Sequence, residues 1–123
     1  MVGYLADTGV GGDKILNNTV DGVKIKAYRD VAALVGCASN IDAMSGNTVK
    51  NCHVIVDQIT CKYPASDVKA ANIGMFIGRL VSDNTSKIEN NTIVNSTLSQ
   101  VVEINEQFIT EMIDVVEIGS IGK

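Results

Sequence analysis

One histidine and three cysteines are the first residues to weigh for chemistry. Cys37, Cys52, His53 and Cys61 are zinc-ligand types, but neighbours on a strand project to opposite faces, which disfavours Cys52 and His53 as joint ligands. A Ser-His-Asp triad would have to use His53, and no nucleophile-elbow sequence accompanies it. Glycoside hydrolysis needs two carboxylates converging at ~5 to 9.5 Å. Asp57 with Asp83, Asp42 with Glu89, and Asp30 with Asp67 are available pairs, and none forms a motif. The Asp7 to Asp13 loop offers spaced oxygen ligands without the repeated aspartates of calcium-binding turns. Gly9-Val10-Gly11-Gly12 lacks the Lys-Ser/Thr ending of a phosphate loop. The expectation is a chain that is not an enzyme and holds no cofactor or metal.

Composition points away from other classes as well. At 123 residues, 46% of them hydrophobic, the chain can bury one core. Aromatics are 4% and Trp is absent, so Val, Ile, Leu and Ala must build that core, which favours strands. A net charge of -4 opposes binding to nucleic-acid phosphates. No apolar run approaches the ~20 residues of a membrane span, and the N-terminus lacks signal-peptide regions. An odd cysteine count indicates no disulfide framework. The sequons at Asn17, Asn84, Asn90 and Asn95 follow from an Asn/Thr-rich sequence and mean glycosylation only in a eukaryotic secretory context.

The elements that position these residues repeat. Ile25-Lys26-Ala27 through Val35-Gly36-Cys37-Ala38 runs parallel to Val68-Lys69-Ala70 through Ile77-Gly78-Arg79-Leu80. Asn18-Thr19-Val20, Asn47-Thr48-Val49 and Asn91-Thr92-Ile93 form a second recurring phrase. Such a grammar marks a solenoid, in which each unit buries its apolar face on its neighbours. Stacked parallel strands at ~4.8 Å place like residues over like. Asn18, Asn47 and Asn91 are therefore expected to stack at one bend, with amides bonding each other and turn backbone. Thr19, Thr48 and Thr92 should face away from Val20, Val49 and Ile93. Gly3, Gly36 and Gly78 should mark a corner where a Cβ would clash or φ is positive. Cys37 shares its slot with Tyr4 and Arg79, which suggests a solvent-facing position, and Cys52 shares the Val23 slot, which suggests an inward or half-buried one. Met1 stands before Val2-Gly3-Tyr4-Leu5, the middle of a repeat, as expected of a chain cut within that repeat.

Along the chain, strands are expected at Val2 to Leu5, on either side of Asp21-Gly22 between Lys14 and Lys26, and at Val31 to Val35. Ser39 to Gly46 reads as a loop. His53 to Tyr63 reads as strand, half-buried over its second half, ending at Pro64. Further strands are expected near Ile73 to Ile77, Lys87 to Ile93 and Thr97 to Val101. Val101, Ile104, Phe108, Met112 and Val115 share one helical face, opposite Glu103, Glu106, Glu111 and Glu117, which predicts an amphipathic capping helix. The competing reading is extra strands at Val101 to Ile104 and Val115 to Ile118.

The phrase Val35-Gly36-x-Ala38, a loop, then Asn47 to Cys52, with Gly74, Ile77, Gly78 and Asn90 to Asn95 in the next repeat, resembles the bacterial surface repeats known as GLUG motifs. The resemblance covers about residues 2 to 100. It departs from the family where Ala32-Ala33 replaces a typical glycine pair and where loop lengths differ. It implies a mainly β fold: a short right-handed parallel β-solenoid of about three repeats over 1–100, with 101–123 as the cap. It implies a noncatalytic repeat module of a larger cell-surface or secreted bacterial protein, acting as a stalk or as an adhesive surface binding carbohydrate or protein through its loops. The alternative is an accessory module of a secreted protease or glycan-active enzyme. A homodimer through a solenoid end or the Val101 to Ile118 segment is a third expectation, and the compartment implied is extracellular or cell surface.

Overall fold

The computed structural model describes residues 1–5, 13–61 and 70–122, with Tyr4 described by its backbone alone. Strands β1 (Val2–Leu5), β2 (Lys14–Leu16), β3 (Thr19–Asp21) and β4 (Lys24–Ala27) make a first circuit. A second circuit is β5 (Val35–Ala38), β6 (Ala43–Ser45), β7 (Thr48–Lys50) and β8 (His53–Val56). A third is β9 (Ile77–Leu80), β10 (Ile88–Glu89), β11 (Thr92–Val94) and β12 (Thr97–Ile104), followed by β13 (Gln107–Ile113) and β14 (Ile118–Ile121). Each strand of the circuits pairs in parallel with its counterpart one circuit away, giving four sheets ordered β1-β5-β9-β14, β10-β6-β2, β11-β7-β3 and β13-β12-β8-β4. The described fold is mainly β with parallel sheets, and it contains no helix.

Short strands suffice because the register repeats. Val20 pairs with Val49 and Val49 with Ile93, while Ile15 pairs with Met44 and Met44 with Ile88. Ile25, Val54 and Leu98 form a third apolar row. All three rows join one hydrophobic cluster, with Ile41, Met75 and Phe76 buried inside it. Burial peaks in the middle circuit: Val49, Met44 and Val54 are fully buried, whereas Ile15, Ile25 and Ile93 at the ends are half-buried. Each circuit thus completes its neighbour's core, and a buried Val or Ile adds about 1.5–3 kcal/mol over an exposed one.

Two columns of left-handed residues turn the corners between these strands. Asn17 (φ 56), Gly46 (φ 70) and Asn90 (φ 57) occupy one, and Gly22 (φ 73), Asn51 (φ 54) and Asn95 (φ 44) the other. Glycine and asparagine tolerate this region best. At Gly46 the side-chain oxygen of Asn17 occupies the space that a Cβ would take.

Several expectations change. The helix over 101–118 is replaced by an antiparallel β12–β13 hairpin with Val101 opposite Thr110 and Glu103 opposite Phe108. Asn105 (φ 50) and Glu106 (φ 62) form its two-residue turn, the doubly positive geometry that matches strand twist. The apolar residues follow the helical period, and as adjacent pairs they point to both faces of the hairpin. The seat for Leu98 and Ile113 against Val54 and the run of β-branched residues select the strand. Of the alternative strands, Val101 to Ile104 lies in β12, whereas Val115 to Glu117 precede β14. Val31 to Leu34 are buried but make only an isolated Val31–Ile73 bridge, and the strands begin four residues later, at Val35 and Ile77. Ala43–Ser45 is a strand within the expected loop, and β8 ends at Val56 because Asp57 turns the chain. The Asp7 to Asp13 turn, apart from Asp13 itself, and the Pro64 stop lie outside the described residues.

The glycine column explains the close spacing of the β1-β5-β9-β14 sheet. A Cβ on Gly36 would lie 2.7 Å from the Gly3 carbonyl oxygen, one on Gly78 2.6 Å from that of Gly36, and one on Gly119 2.6 Å from that of Gly78. None of these glycines has a positive φ, so close approach is the requirement. Backbone cannot yield as a flexible side chain can. Gly78→Ala should therefore lower unfolding free energy by about 1–3 kcal/mol in urea titrations; unchanged stability would contradict this packing.

Candidate functional site

The strongest recurrent polar feature is the asparagine row at the corner before β3, β7 and β11. Asn47 Oδ1 accepts from the backbone N–H of Asn18 (2.9 Å) and from its Nδ2 (3.1 Å). Asn91 Oδ1 accepts in the same way from Asn47, at 3.1 and 2.9 Å. Asn47 Nδ2 also donates to the Ile15 carbonyl at 2.9 Å, and Asn91 Nδ2 to the Met44 carbonyl at 3.0 Å. Asn47 is 1% exposed, so these bonds are made away from water. A second row runs outside, where Asn51 Nδ2 donates to Asp21 Oδ1 and Asn95 Nδ2 to Asn51 Oδ1.

Thr19, Thr48 and Thr92 are brought into register beside the asparagines, Thr48 half-buried and the other two exposed, with Val20, Val49 and Ile93 on the core side. Gly36 and Gly78 stand in one column with Gly3 at its head, where a Cβ would meet nothing. Gly119 extends that column, which sequence reasoning missed. Its signal was present: Ile118-Gly119-Ser120-Ile121 has the pattern of Ile77-Gly78-Arg79-Leu80.

Candidate catalytic groups are scattered or already bonded. Asp57 is fully buried and accepts from the N–H groups of Ile59 (3.0 Å) and Thr60 (2.8 Å), from the Thr60 hydroxyl, and faces Lys26 Nζ at 3.8 Å. Burial works against its charge, but the Thr60 and Ile59 bonds and the Lys26 ammonium outweigh it and hold the carboxyl below its ordinary range. It is a turn-capping group. Asp67 lies outside the described residues, and Asp30 is taken up by a different cluster. Asp30, left-handed at φ 52, accepts from Asn72 Nδ2 (2.8 Å) and Arg79 Nε (3.2 Å). Arg29 Nε lies 3.3 Å from the same Asp30 oxygen without hydrogen-bond alignment.

This cluster corrects the solvent-facing expectation for Cys37, which is 4% exposed. Burial pushes its thiol up, and the neighbouring Arg79 offsets that only in part. Cys52 is buried, its backbone N–H donating to the Ser96 hydroxyl at 3.0 Å, while exposed His53 sets Nδ1 2.7 Å from the Thr97 hydroxyl. Among the described residues no three His, Cys, Asp or Glu side chains group as a metal site, and no helix is long and apolar enough to cross a membrane. No family model matches this chain, nor does any curated protein or solved structure.

Two outcomes follow. Asn47→Ala strands donors from Asn18 and should cost about 1–3 kcal/mol in denaturant melts, more than Asn18→Ala at the exposed end. Because the folded Asp57 titrates below its unfolded value, its contribution is complete above the ordinary carboxylate range, near pH 4, and is lost as pH falls through the lowered folded value. Asp57→Asn should flatten that part of the acid limb of stability against pH; an unchanged limb would refute the assignment.

Proposed function

We propose that the chain is a short right-handed parallel β-solenoid and serves as a noncatalytic repeat module, a stalk or recognition surface, of a larger bacterial cell-surface or secreted protein. The observation that carries this reading is the register that sets Thr19, Thr48 and Thr92, and the asparagines before them, in vertical rows. Repetition of that kind supports a scaffold whose polar groups are consumed in holding themselves together. Asp57 is occupied by the N–H of Thr60 and by Lys26, and Asp30 by Arg79. The resemblance of Val35 to Cys52 to GLUG motifs supports the surface location and the carbohydrate or protein ligand. Loop variation between circuits supports recognition outside the strands: Thr19 and Thr48 are 29 residues apart and Thr48 and Thr92 are 44 apart.

A glycan-array screen of the chain beside a loop variant, Asp42→Ala, tests recognition. Binding that the variant weakens with unchanged melting temperature is the expected result. Blank arrays would remove carbohydrate recognition and leave the stalk. Hydrolysis of any arrayed glycan would overturn the noncatalytic reading.

A further inference from the structure

We propose that Asp21-Gly22 is a site of spontaneous covalent modification, the conversion of Asp21 to isoaspartate, and that the stacking of the first circuit on the second holds it off. The pair is the only Asp-Gly step in the sequence, and there is no Asn-Gly step. Glycine matters because no Cβ stands beside its nitrogen to hinder attack on the preceding side chain. In the reaction the Gly22 nitrogen gives up its proton and bonds Asp21 Cγ, and a carboxyl oxygen departs as water. Water then opens the five-membered imide at the Asp21 backbone carbonyl carbon. The main chain now runs through Cβ and Cγ, and the former backbone carbonyl becomes a free carboxylate. One water leaves and one returns, so no other reactant is needed. Only the parallel register is required for this, whatever the module recognises.

Both reacting groups are tied to the second circuit. The Gly22 N–H donates to the Lys50 carbonyl at 3.1 Å. Asp21 Oδ1 accepts from Asn51 Nδ2 at 3.0 Å, and Lys50 Nζ lies 3.8 Å from Oδ2. Attack requires the nitrogen to leave Lys50 and the carboxyl group to leave Asn51 and swing toward it. The strands on either side resist that movement, with Val20 paired to Val49 and Ile25 to Val54. Water for the second step is at hand, because the Asp21 side chain is exposed. Gly22 serves the corner through its left-handed φ of 73° and not through room, since a Cβ there would meet nothing. Asn51 (φ 54) and Asn95 (φ 44) make the same corner, so the fold accepts asparagine at this position. Isoaspartate adds one carbon to the main chain between β3 and β4, and the Val20 and Ile25 rows then cannot both keep register. The modification thus marks circuits that have parted and keeps them apart.

Ageing the chain at mildly acidic pH, folded and in denaturing guanidinium, and then separating the isoaspartyl and aspartyl forms of tryptic peptide 15–24 tests this. Isomerisation leaves the peptide mass unchanged, whereas deamidation of Asn17 or Asn18 in the same peptide raises it. Conversion should run roughly thirtyfold faster in denaturant, about fivefold for each of the two hydrogen bonds released. Asn51→Gly keeps the left-handed corner and removes the side chain, so it should speed conversion of the folded chain about fivefold and leave the denatured rate alone. Asn95→Gly, whose lost amide bonds Asn51 and not Asp21, should age like the parent. Gly22→Asn should melt like the parent and convert more slowly in both states. Equal rates folded and denatured, no conversion in denaturant, or an Asn51→Gly chain that ages like Asn95→Gly would each overturn the proposal. If Asn51→Gly does not fold, the parent and Gly22→Asn, each aged in both states, still decide it. The purified isoaspartyl chain should melt below the parent, and an unchanged melting temperature would refute the loss of register.

Discussion

Everything in this molecule depends on a parallel register that lays each residue on its own counterpart. Once Thr19 sits on Thr48 and Thr48 on Thr92, the asparagines before them are in hydrogen-bond reach and the valines after them share one interior. A shift by a single residue would turn Val49 outward and Thr48 inward. The side-chain bonds of Asn47 to Asn18 and Asn91 resist that slip, because a buried amide out of register would leave donors and acceptors unpaired. The row is therefore a register lock.

The glycine column imposes the complementary limit. Where asparagine holds circuits at one height, Gly36 and Gly78 let backbone approach backbone. Val35 and Ala38, three residues apart on either side of Gly36 and Cys37, both reach the core, as do Ile77 and Leu80. Cys37 and Arg79, between them, stay out of the core cluster and meet Arg29 and Asp30. Charged residues thus share a small covered site beside an otherwise aliphatic fold.

The ends of the stack differ in kind. Beside Gly3 an apolar recess is lined by Val2, Ile25, Val31 and Ala32, whereas in the last segment a hairpin adds β13 to one sheet and β14 returns to another. The hairpin leaves Phe108 and Met112 exposed at 59% and 72%, so it extends the sheet without sealing the interior. Glu103, Glu106 and Glu111 stand between the apolar residues of the same hairpin.

The recurring Asn-Thr-Val and Val-Gly-x-Ala phrases determined by themselves that strands would stack and which residues would meet, since a parallel register needs only that like positions repeat. Val20, Val49 and Ile93, and the asparagine and threonine rows, were legible for that reason. Gly119 was overlooked although its pattern was visible. The C-terminal segment was not legible, because Phe108, Ile109, Met112 and Ile113 share one helical face but fall on opposite faces of a strand, and Asn105-Glu106 is a weak turn signal. The left-handed corners at Asn17 and Asn90 depended on the turns between short strands, and the burial of Cys37 goes with its pairing in β5 against Arg79 of β9, 42 residues on. Tertiary structure decided these because hydrogen bonding along a neighbour's free edge outweighs local preference, and no local pattern records which edge will be free.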